Sequence, residues 1–337
     1  MKTPTRQQFN RYFADLAKLN GVPSAKEVFT VEPSVQRALE VRMQQSNSFL
    51  NQINLAPVNE MSGDRLGLGV GGPLASRTDT SSADRRTSDP STLEASGYLC
   101  RQTNFDTHLP YSKIDAWASL PDFQIRVLDA VTHRQGLDRI MVGFNGSSAA
   151  ATTNPLASPL RQDLNIGWLQ LYRNHRPANV LSSGGMTGSV RIGSSYSADY
   201  PCIDALVYDV ISNMLDPWYR DDPGLVVILG SNLQSDAYFP LINSTMPASQ
   251  QIAADVVLSK KAIARRPALA VPFVPENSLV VTTLDNLSIY YLEGSRRQIV
   301  VDNPKRDRIE HYESSNDAYV VEDFGRGCVV ENITFNL

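Results

Sequence analysis

Apolar residues recur at helical spacing in the first half of the chain, and this pattern predicts three helices. The first covers residues 5–20. The second begins at Ser34, which is placed to cap it, and we expect it to end before Pro57. The third follows Pro121 and stops at Asn145-Gly146, which predicts a rod about 30 Å long. We expect this rod to cross the core.

Helix and strand patterns alternate from residue 160 to residue 300. A short helix is predicted near Trp168, and residues 203–215 place seven apolar side chains on one helical face. Between these two helices, the Gly/Ser-rich stretch 182–197 indicates a flexible hairpin. The continuous apolar run 225–229 is typical of a fully buried strand.

The C-terminal part is predicted to be rich in β-strands. Residues 287–292 and 296–301 flank a Glu-Gly-Ser turn, which favours a hairpin between them. Further strands are predicted at 318–321 and 328–335, and we expect them to return beside the long helix. The chain is therefore predicted to be an α+β protein.

A long polar stretch interrupts the pattern between residues 62 and 96. Within residues 76–92, nine of seventeen residues are Ser or Thr, so this part cannot form a core of its own. Residues 98–109 could form the returning strand of an extended hairpin. A loop of this length in a compact domain is uncommon unless it is functional or folds against a partner.

Composition limits the class of protein. Apolar residues make up 42% and charged residues 20%, as in globular proteins, and the net charge of −4 disfavours sequence-specific DNA binding. Residues 1–29 nevertheless carry a net charge of +3 and end after a Gly-Val-Pro-Ser hinge, which predicts a detachable basic arm. No secretory signal and no apolar run long enough for a membrane span is recognisable.

Motifs for chemistry are weak. The Gly67–Gly72 run matches a dinucleotide-binding pattern, but no helix is predicted after it. The three cysteines and four histidines lack the spacing of metal ligands, and the adjacent acidic pairs Asp221-Asp222 and Glu322-Asp323 are typical of solvated turns. We therefore predict no catalytic residue, no cofactor and no metal site, and we interpret the cysteines as reduced thiols.

Two surface features remain open. The basic clusters at 260–266 and 305–308 could contact phosphate, although ordinary solvated surface is the preferred interpretation. The Trp218-Tyr219-Arg220 run combines residue types that are enriched at binding hot spots, and burial within the subunit is the preferred alternative.

Several irregular strings of the sequence resemble the major capsid proteins of coliphage P2 and its relatives. The resemblance covers nearly the whole chain, in order and with similar gaps. It is carried by Phe29-Thr-Val-Glu-Pro-Ser-Val35, Asp122-Phe-Gln-Ile-Arg126, Gly143-Phe-Asn-Gly146, Gly167-Trp-Leu-Gln170, Asp216-Pro-Trp-Tyr219, Asp222-Pro-Gly-Leu-Val-Val-Ile228, Asn286-Leu-Ser-Ile-Tyr-Tyr291 and Tyr319-Val-Val-Glu-Asp323.

The resemblance implies the Hong Kong 97 type of phage capsid fold, with an N-terminal arm, an extended loop, a peripheral domain with a long spine helix, and an axial α/β domain. The implied segments are an assembly arm or propeptide at 1–29, an N-arm at 30–61, an extended loop at 62–110, a peripheral domain at 111–159 with its spine helix at 120–145, an axial domain at 160–285, and peripheral return strands at 286–337.

The resemblance also implies a function. The chain is expected to self-assemble as pentamers and hexamers into the icosahedral head shell of a tailed bacteriophage. Its expected partners are a scaffold and maturation protease, a portal protein and double-stranded DNA bound without sequence specificity, with no membrane. Assembly is expected in the host cytoplasm, with the final place in the virion capsid, and processing is expected between Phe29 and Thr30.

Two rival classes remain open at this point. A phage-derived nanocompartment would share the fold but enclose cargo proteins, and its particles would contain neither DNA nor a portal. An α/β enzyme would need titratable residues that converge in one pocket, and the sequence offers no such set.

The lysine positions generate a first testable prediction. Some shells of the implied fold join neighbours by a lysine–asparagine bond whose lysine lies on the extended loop, but this chain has no lysine between Lys26 and Lys113. The amine for such a bond is therefore missing from the loop. Particles boiled in denaturant with reductant should release one monomer-sized band on a gel. A ladder of linked oligomers would contradict this.

Overall fold

The computed structural model describes residues 2–64, 75–82, 84, 85, 87, 97–117, 123–193, 195–233 and 262–336. Residues 65–74 and 88–96 of the predicted extended hairpin, which include the glycine run 67–72, lie outside the described residues, as do the lysines at 260 and 261. Six α-helices are described: α1 Thr3–Leu19, α2 Pro33–Gln45, α3 Tyr111–Trp117, α4 Phe123–Asn145, α5 Trp168–His175 and α6 Ile203–Met214.

Seventeen strands are described, and they form two large sheets and two small ones. The strands are β1 Phe29–Thr30, β2 Asn54–Val58, β3 Ser62–Gly63, β4 Tyr98–Leu99, β5 Arg101–Asn104, β6 Thr107–Pro110, β7 Val180–Leu181, β8 Val190–Gly193, β9 Leu225–Leu229, β10 Ala262–Ile263, β11 Arg266–Ala270, β12 Leu279–Thr283, β13 Leu287–Leu292, β14 Arg297–Asn303, β15 Arg308–Val321, β16 Cys328–Val330 and β17 Ile333–Asn336.

The first sheet is organised by β15, which is 14 residues long. Asp317 of β15 pairs with Arg101 of β5 and with Tyr291 of β13, so these two strands lie on opposite edges. β6 extends the β5 edge, whereas β14 pairs with residues 308–314 on the other edge. The next strands outward are β1, which pairs with β14, and β2, which pairs with β13.

This pairing corrects the predicted hairpin between residues 287–292 and 296–301. β13 and β14 do not pair with each other; they pair antiparallel with successive stretches of β15. Because β15 is long enough to pair with five residues of β13 and with all seven of β14, one strand satisfies the backbone groups of both. Residues 101–110, which the resemblance assigns to the extended loop, also join this sheet through β5 and β6.

The second sheet has the strand order β10-β11-β9-β12-β16-β7. Its strand β9 is buried along its whole length, as predicted, between parallel β11 and antiparallel β12. The buried face of α6 packs on this sheet, which confirms the predicted amphipathic helix. The predicted hairpin at 182–197 is confirmed only as a tight turn, in which Met186 and Ser189 form an isolated antiparallel bridge. The flanking strands do not pair with each other, because β8 pairs with β17 and β7 pairs with β16.

The long helix α4 confirms the predicted rod, but only its second half lies in the core. Ile125 and Leu128 are exposed in the isolated chain, whereas Ile140, Met141 and Phe144 are buried. The predicted second helix also ends earlier than expected. α2 stops at Gln45, and the chain then turns into strand β2, which contains Pro57 and pairs with β13.

The main core joins α4, α5 and both large sheets. Trp168 of α5 lies directly on Gly143 of α4, where an added Cβ would come within 2.3 Å of the indole ring. The indole nitrogen donates a hydrogen bond of 3.1 Å to the carbonyl of Ser288 in β13. Any larger residue at position 143 would therefore push α5 away from α4. No described helix is long and apolar enough to span a bilayer.

Candidate functional site: the N-terminal arm and its attachment

A cluster of charged side chains is buried where the arm helix α2, the long helix α4 and the first sheet meet. Each side chain in this charge cluster is at most 5% exposed. The cluster consists of Glu40 of α2, Arg139 of α4, Arg296 at the start of β14, and Glu313 and Asp317 of β15. It therefore joins three elements that are far apart in sequence.

Arg139 connects the two helices with the sheet. Its guanidinium donates two hydrogen bonds of 3.0 Å to the carboxylate of Asp317. It also donates to both carboxylate oxygens of Glu40. This fork-shaped contact with two carboxylates is specific to arginine, because lysine offers a single point charge.

Arg296 completes the cluster from the sheet side. It donates to Glu40 at 2.7 Å and to Glu313 at 2.6 Å. It also donates to the side-chain oxygen of Gln135 at 3.0 Å, and the amide nitrogen of Gln135 donates to Glu313 at 2.8 Å. Gln298 donates to the same carboxylate at 2.9 Å.

The charges of the cluster do not cancel, since three carboxylates face two guanidinium groups. Burial raises the pKa of Glu40, but Arg139 and Arg296 together lower it below its ordinary value. Burial raises the pKa of Glu313, but Arg296, His311 and Gln298 together lower it below its ordinary value. Asp317 behaves differently: burial outweighs Arg139 and raises its pKa.

Further polar contacts hold α2 beside this cluster. Gln36 is fully buried, donates to the carbonyl of Leu292 at 3.1 Å and accepts from the backbone of Gly294 at 2.9 Å. At the surface, Arg42 of α2 donates to Asp129 of α4 at 2.6 Å. The arm helix α2 is thus attached to both α4 and the sheet.

The N-terminal helix α1 is attached in a different way, mainly by apolar contacts. Phe13 and Ala17 of α1 pack in a buried cluster with Ile114 of α3, Val300 of β14 and Ile309 of β15. α1 ends at Leu19, and Gly21 follows with a φ of +65°, a conformation that favours glycine.

Polar contacts fix the start of α1. Arg6 forms an ion pair with Asp302, which also accepts a hydrogen bond from the hydroxyl of Tyr111. The backbone nitrogen of Lys2 donates to Asp115 of α3 at 2.9 Å. These contacts lie near the surface, so they contribute less than the buried charge cluster.

The predicted processing bond lies in β1, at the outer edge of the first sheet. Phe29 is buried and pairs with Gln298, whereas Thr30 is exposed and pairs with Arg297. The next residue, Val31, is fully buried, and its backbone donates to the carbonyl of Arg296 at 2.8 Å. The structure thus brings Phe29 and Thr30 next to the charge cluster.

The other residues that the sequence singled out make contacts that stabilise the fold. Among the described residues, no group of three His, Cys, Asp or Glu side chains is arranged to hold a metal ion. Asp222 accepts from the backbone of Gly224 at 2.8 Å, and Asp323 accepts from Tyr219 at 2.7 Å. Asp222 therefore stabilises its own turn, whereas Asp323 stabilises its turn through the backbone of Gly325 and also links it to Tyr219.

The basic and aromatic residues that the sequence singled out differ in their exposure and contacts. Arg266 donates to the backbone carbonyls of Asp222 and Arg220, so it stabilises the fold, whereas Lys305 is exposed. Trp218 is half-exposed, so the preferred interpretation of burial does not hold for it. Cys100 and Cys328 are buried, and Cys202 is exposed.

Sequence reasoning missed the charge cluster. The signal was present, because Gln36, Glu40 and Met43 share one face of α2 at helical spacing, and this is the face that is buried. On β15, Glu313 and Asp317 likewise fall in the alternation of inward-facing residues. A charged residue in phase with apolar neighbours indicates a buried ion pair when an arginine of similar placement is available.

Comparison with known proteins gives a consistent result. Residues 8–333 match the model of the phage major capsid protein, P2 family. The chain is 46% identical to a capsid protein of Escherichia phage P2, over 99% of the chain and 95% of that protein. It is 36% identical to the major capsid protein of Serratia phage KSP20, over 99% of the chain and 98% of that protein.

Solved structures agree. A chain of the satellite phage P4 procapsid, solved with the size determination protein Sid, matches 100% of this chain and 99% of its own length, with a TM-score of 0.83 and 43% identity. The capsid of a native GTA particle matches with a TM-score of 0.50, 13% identity and coverage of 86% of this chain and 91% of that chain. The latter shows similarity of fold alone.

The charge cluster generates a prediction about stability. Glu40→Gln removes the carboxylate shared by Arg139 and Arg296, while Asp317 and Glu313 still pair with these two arginines. It should lower the free energy of unfolding by about 1.5–3 kcal/mol, because both guanidinium groups lose charge-assisted hydrogen bonds in a buried site. The matched control is Glu293→Gln, which removes the partner of Arg37 at the surface and should have a much smaller effect. Urea denaturation of the isolated chain measures both. Equal effects of the two variants would contradict the assignment.

Proposed function

The chain belongs to the P2 family of phage major capsid proteins and forms the icosahedral head shell of a tailed bacteriophage, and from this premise we propose how it assembles and matures. Its Hong Kong 97 type of fold and its family are those that the sequence predicted. The finer division into arm, extended loop, peripheral domain and axial domain remains our proposal, with the boundaries given above.

Self-association is the first part of the proposal. The chain forms pentamers and hexamers, so one sequence meets several slightly different neighbours through heterologous contacts. The exposed Ile125 and Leu128 on the first half of α4, together with the polar composition of residues 76–92, support contacts that are completed only between subunits.

The other proposed partners are a scaffold with a maturation protease, a portal protein and double-stranded DNA. The net charge of −4 supports enclosure of DNA without sequence-specific contacts. Assembly takes place in the host cytoplasm, and the chain itself contributes no catalytic group. The absence of a catalytic role is supported by the carboxylates of the charge cluster, because they accept hydrogen bonds from arginine and glutamine side chains.

Removal of the N-terminal arm is the most specific part of the proposal. A protease adds water across the amide between Phe29 and Thr30, which leaves a carboxylate on Phe29 and an ammonium group on Thr30. The observation that carries this proposal is the separate attachment of the two arm helices. α1 is held by surface contacts and by an apolar cluster that it shares with β1 and the sheet, and the hinge at Gly21 follows it. α2 is held by the buried charge cluster.

Loss of residues 1–29 therefore leaves the charge cluster complete. Mass spectrometry of purified infectious particles, which should be closed shells in electron micrographs, should find a chain that begins Thr30-Val31-Glu32. The control is the same chain expressed without other phage proteins, which should retain residues 2–29. A chain with an intact N-terminus in infectious particles would refute the processing proposal.

A further inference from the structure

We propose that α1 acts as a lock that shields the Phe29–Thr30 bond in the isolated subunit, so that the bond becomes cleavable only after α1 leaves the sheet. This inference rests on the proposed processing at that bond. It adds a control on the timing of cleavage. Three sets of contacts in the structure support it.

The first set surrounds the bond itself. Phe29 and Thr30 pair with Gln298 and Arg297 of β14, and the side chains of Phe29 and Val31 on either side of Thr30 are buried. A protease must enclose several residues around the bond that it cuts, including their side chains. The segment must therefore detach from β14 before it fits a protease cleft.

The second set links β1 to α1. Phe13 and Ala17 of α1 share one buried apolar cluster with Phe29 and Val31. The side-chain oxygen of Asn20, at the end of α1, accepts a hydrogen bond of 3.2 Å from the backbone of Glu32. The segment on both sides of the bond is therefore fixed by contacts with α1 itself.

The third set of contacts fixes the hinge segment between α1 and β1. The backbone carbonyl of Ala25 accepts from Val300 of β14 at 3.3 Å, and Ala25 is buried. The ammonium group of Lys26 lies 5.9 Å from the centre of the Phe13 ring. Since α1, the hinge and β1 share one cluster, displacement of α1 removes the packing that holds β1 in place.

Displacement of α1 can begin at the contacts that hold the start of this helix. The start of α1 is held by the ion pair of Arg6 with Asp302 and by the Lys2 contact with Asp115, all near the surface. A neighbouring subunit or scaffold that competes for these groups would weaken α1 without disturbing the charge cluster. Cleavage would then follow assembly and would not precede it.

Chymotrypsin offers a direct test on the isolated full-length chain, because it cuts after large aromatic residues. The Tyr196–Ser197 bond is an internal control, since Tyr196 is fully exposed in a loop. In the native chain, cleavage after Phe29 should be at least about tenfold slower than cleavage after Tyr196. In denaturant, both bonds should be cut at similar rates. Mass spectrometry of the fragments follows each bond separately.

Variants of α1 identify the cause of the protection. Arg6→Ala and Phe13→Ala should each accelerate cleavage after Phe29 several-fold, because cleavage of a transiently opened segment follows the population of the open form. Cleavage after the exposed Tyr196 should stay unchanged, and the absence of cleavage after the buried Tyr172 shows that the body remains folded. The matched control Leu19→Ala changes an exposed residue of the same helix and should leave both rates unchanged.

Two results would overturn the lock. One is cleavage after Phe29 as fast as after Tyr196 in the native wild-type chain. The other is unchanged protection in both Arg6→Ala and Phe13→Ala. These outcomes are separate from the processing proposal, which is tested on mature particles. Particles that begin at Thr30 together with an unprotected isolated chain would refute the lock alone.

Discussion

Burial of unequal charge is the constraint on which the rest of the structure depends. Moving a charged side chain from water into a protein interior costs several kcal/mol per ion, even after relaxation. Glu40, Arg139, Arg296, Glu313 and Asp317 offset this cost only together, because each guanidinium group contacts two carboxylates. If α4 moves away, Asp317 loses Arg139, and if α2 moves away, both guanidinium groups lose one of their two carboxylates.

This constraint explains why the N-terminal arm consists of two parts with different attachments. α2 brings Glu40 into the cluster and cannot leave without a large cost. α1 carries none of the cluster's charges, and a glycine hinge separates it from β1. A shell subunit needs both properties, since a permanent arm holds the fold while a removable arm allows a change after assembly.

The pattern of apolar residues predicted those elements whose type depends on their own sequence alone. α6 shows an apolar face and β9 an apolar run, and both were predicted within one or two residues. The predicted hairpin at 287–301 was wrong because β13 and β14 both pair with β15, which lies further along the chain. The charge cluster was missed for the same reason, because Glu40 and Arg296 are 256 residues apart and each alone resembles a solvated surface charge.

The central claim is that the charge cluster fuses α2 with α4 and the sheet into one cooperative unit. Native-state hydrogen exchange of the isolated chain measures this most directly, because it gives the free energy of opening for each segment. The account predicts that the amides of residues 33–45 open with the same free energy as those of β15, whereas the amides of α1 open more easily. Exchange of α2 as fast as that of α1, with β15 still protected, would contradict the account.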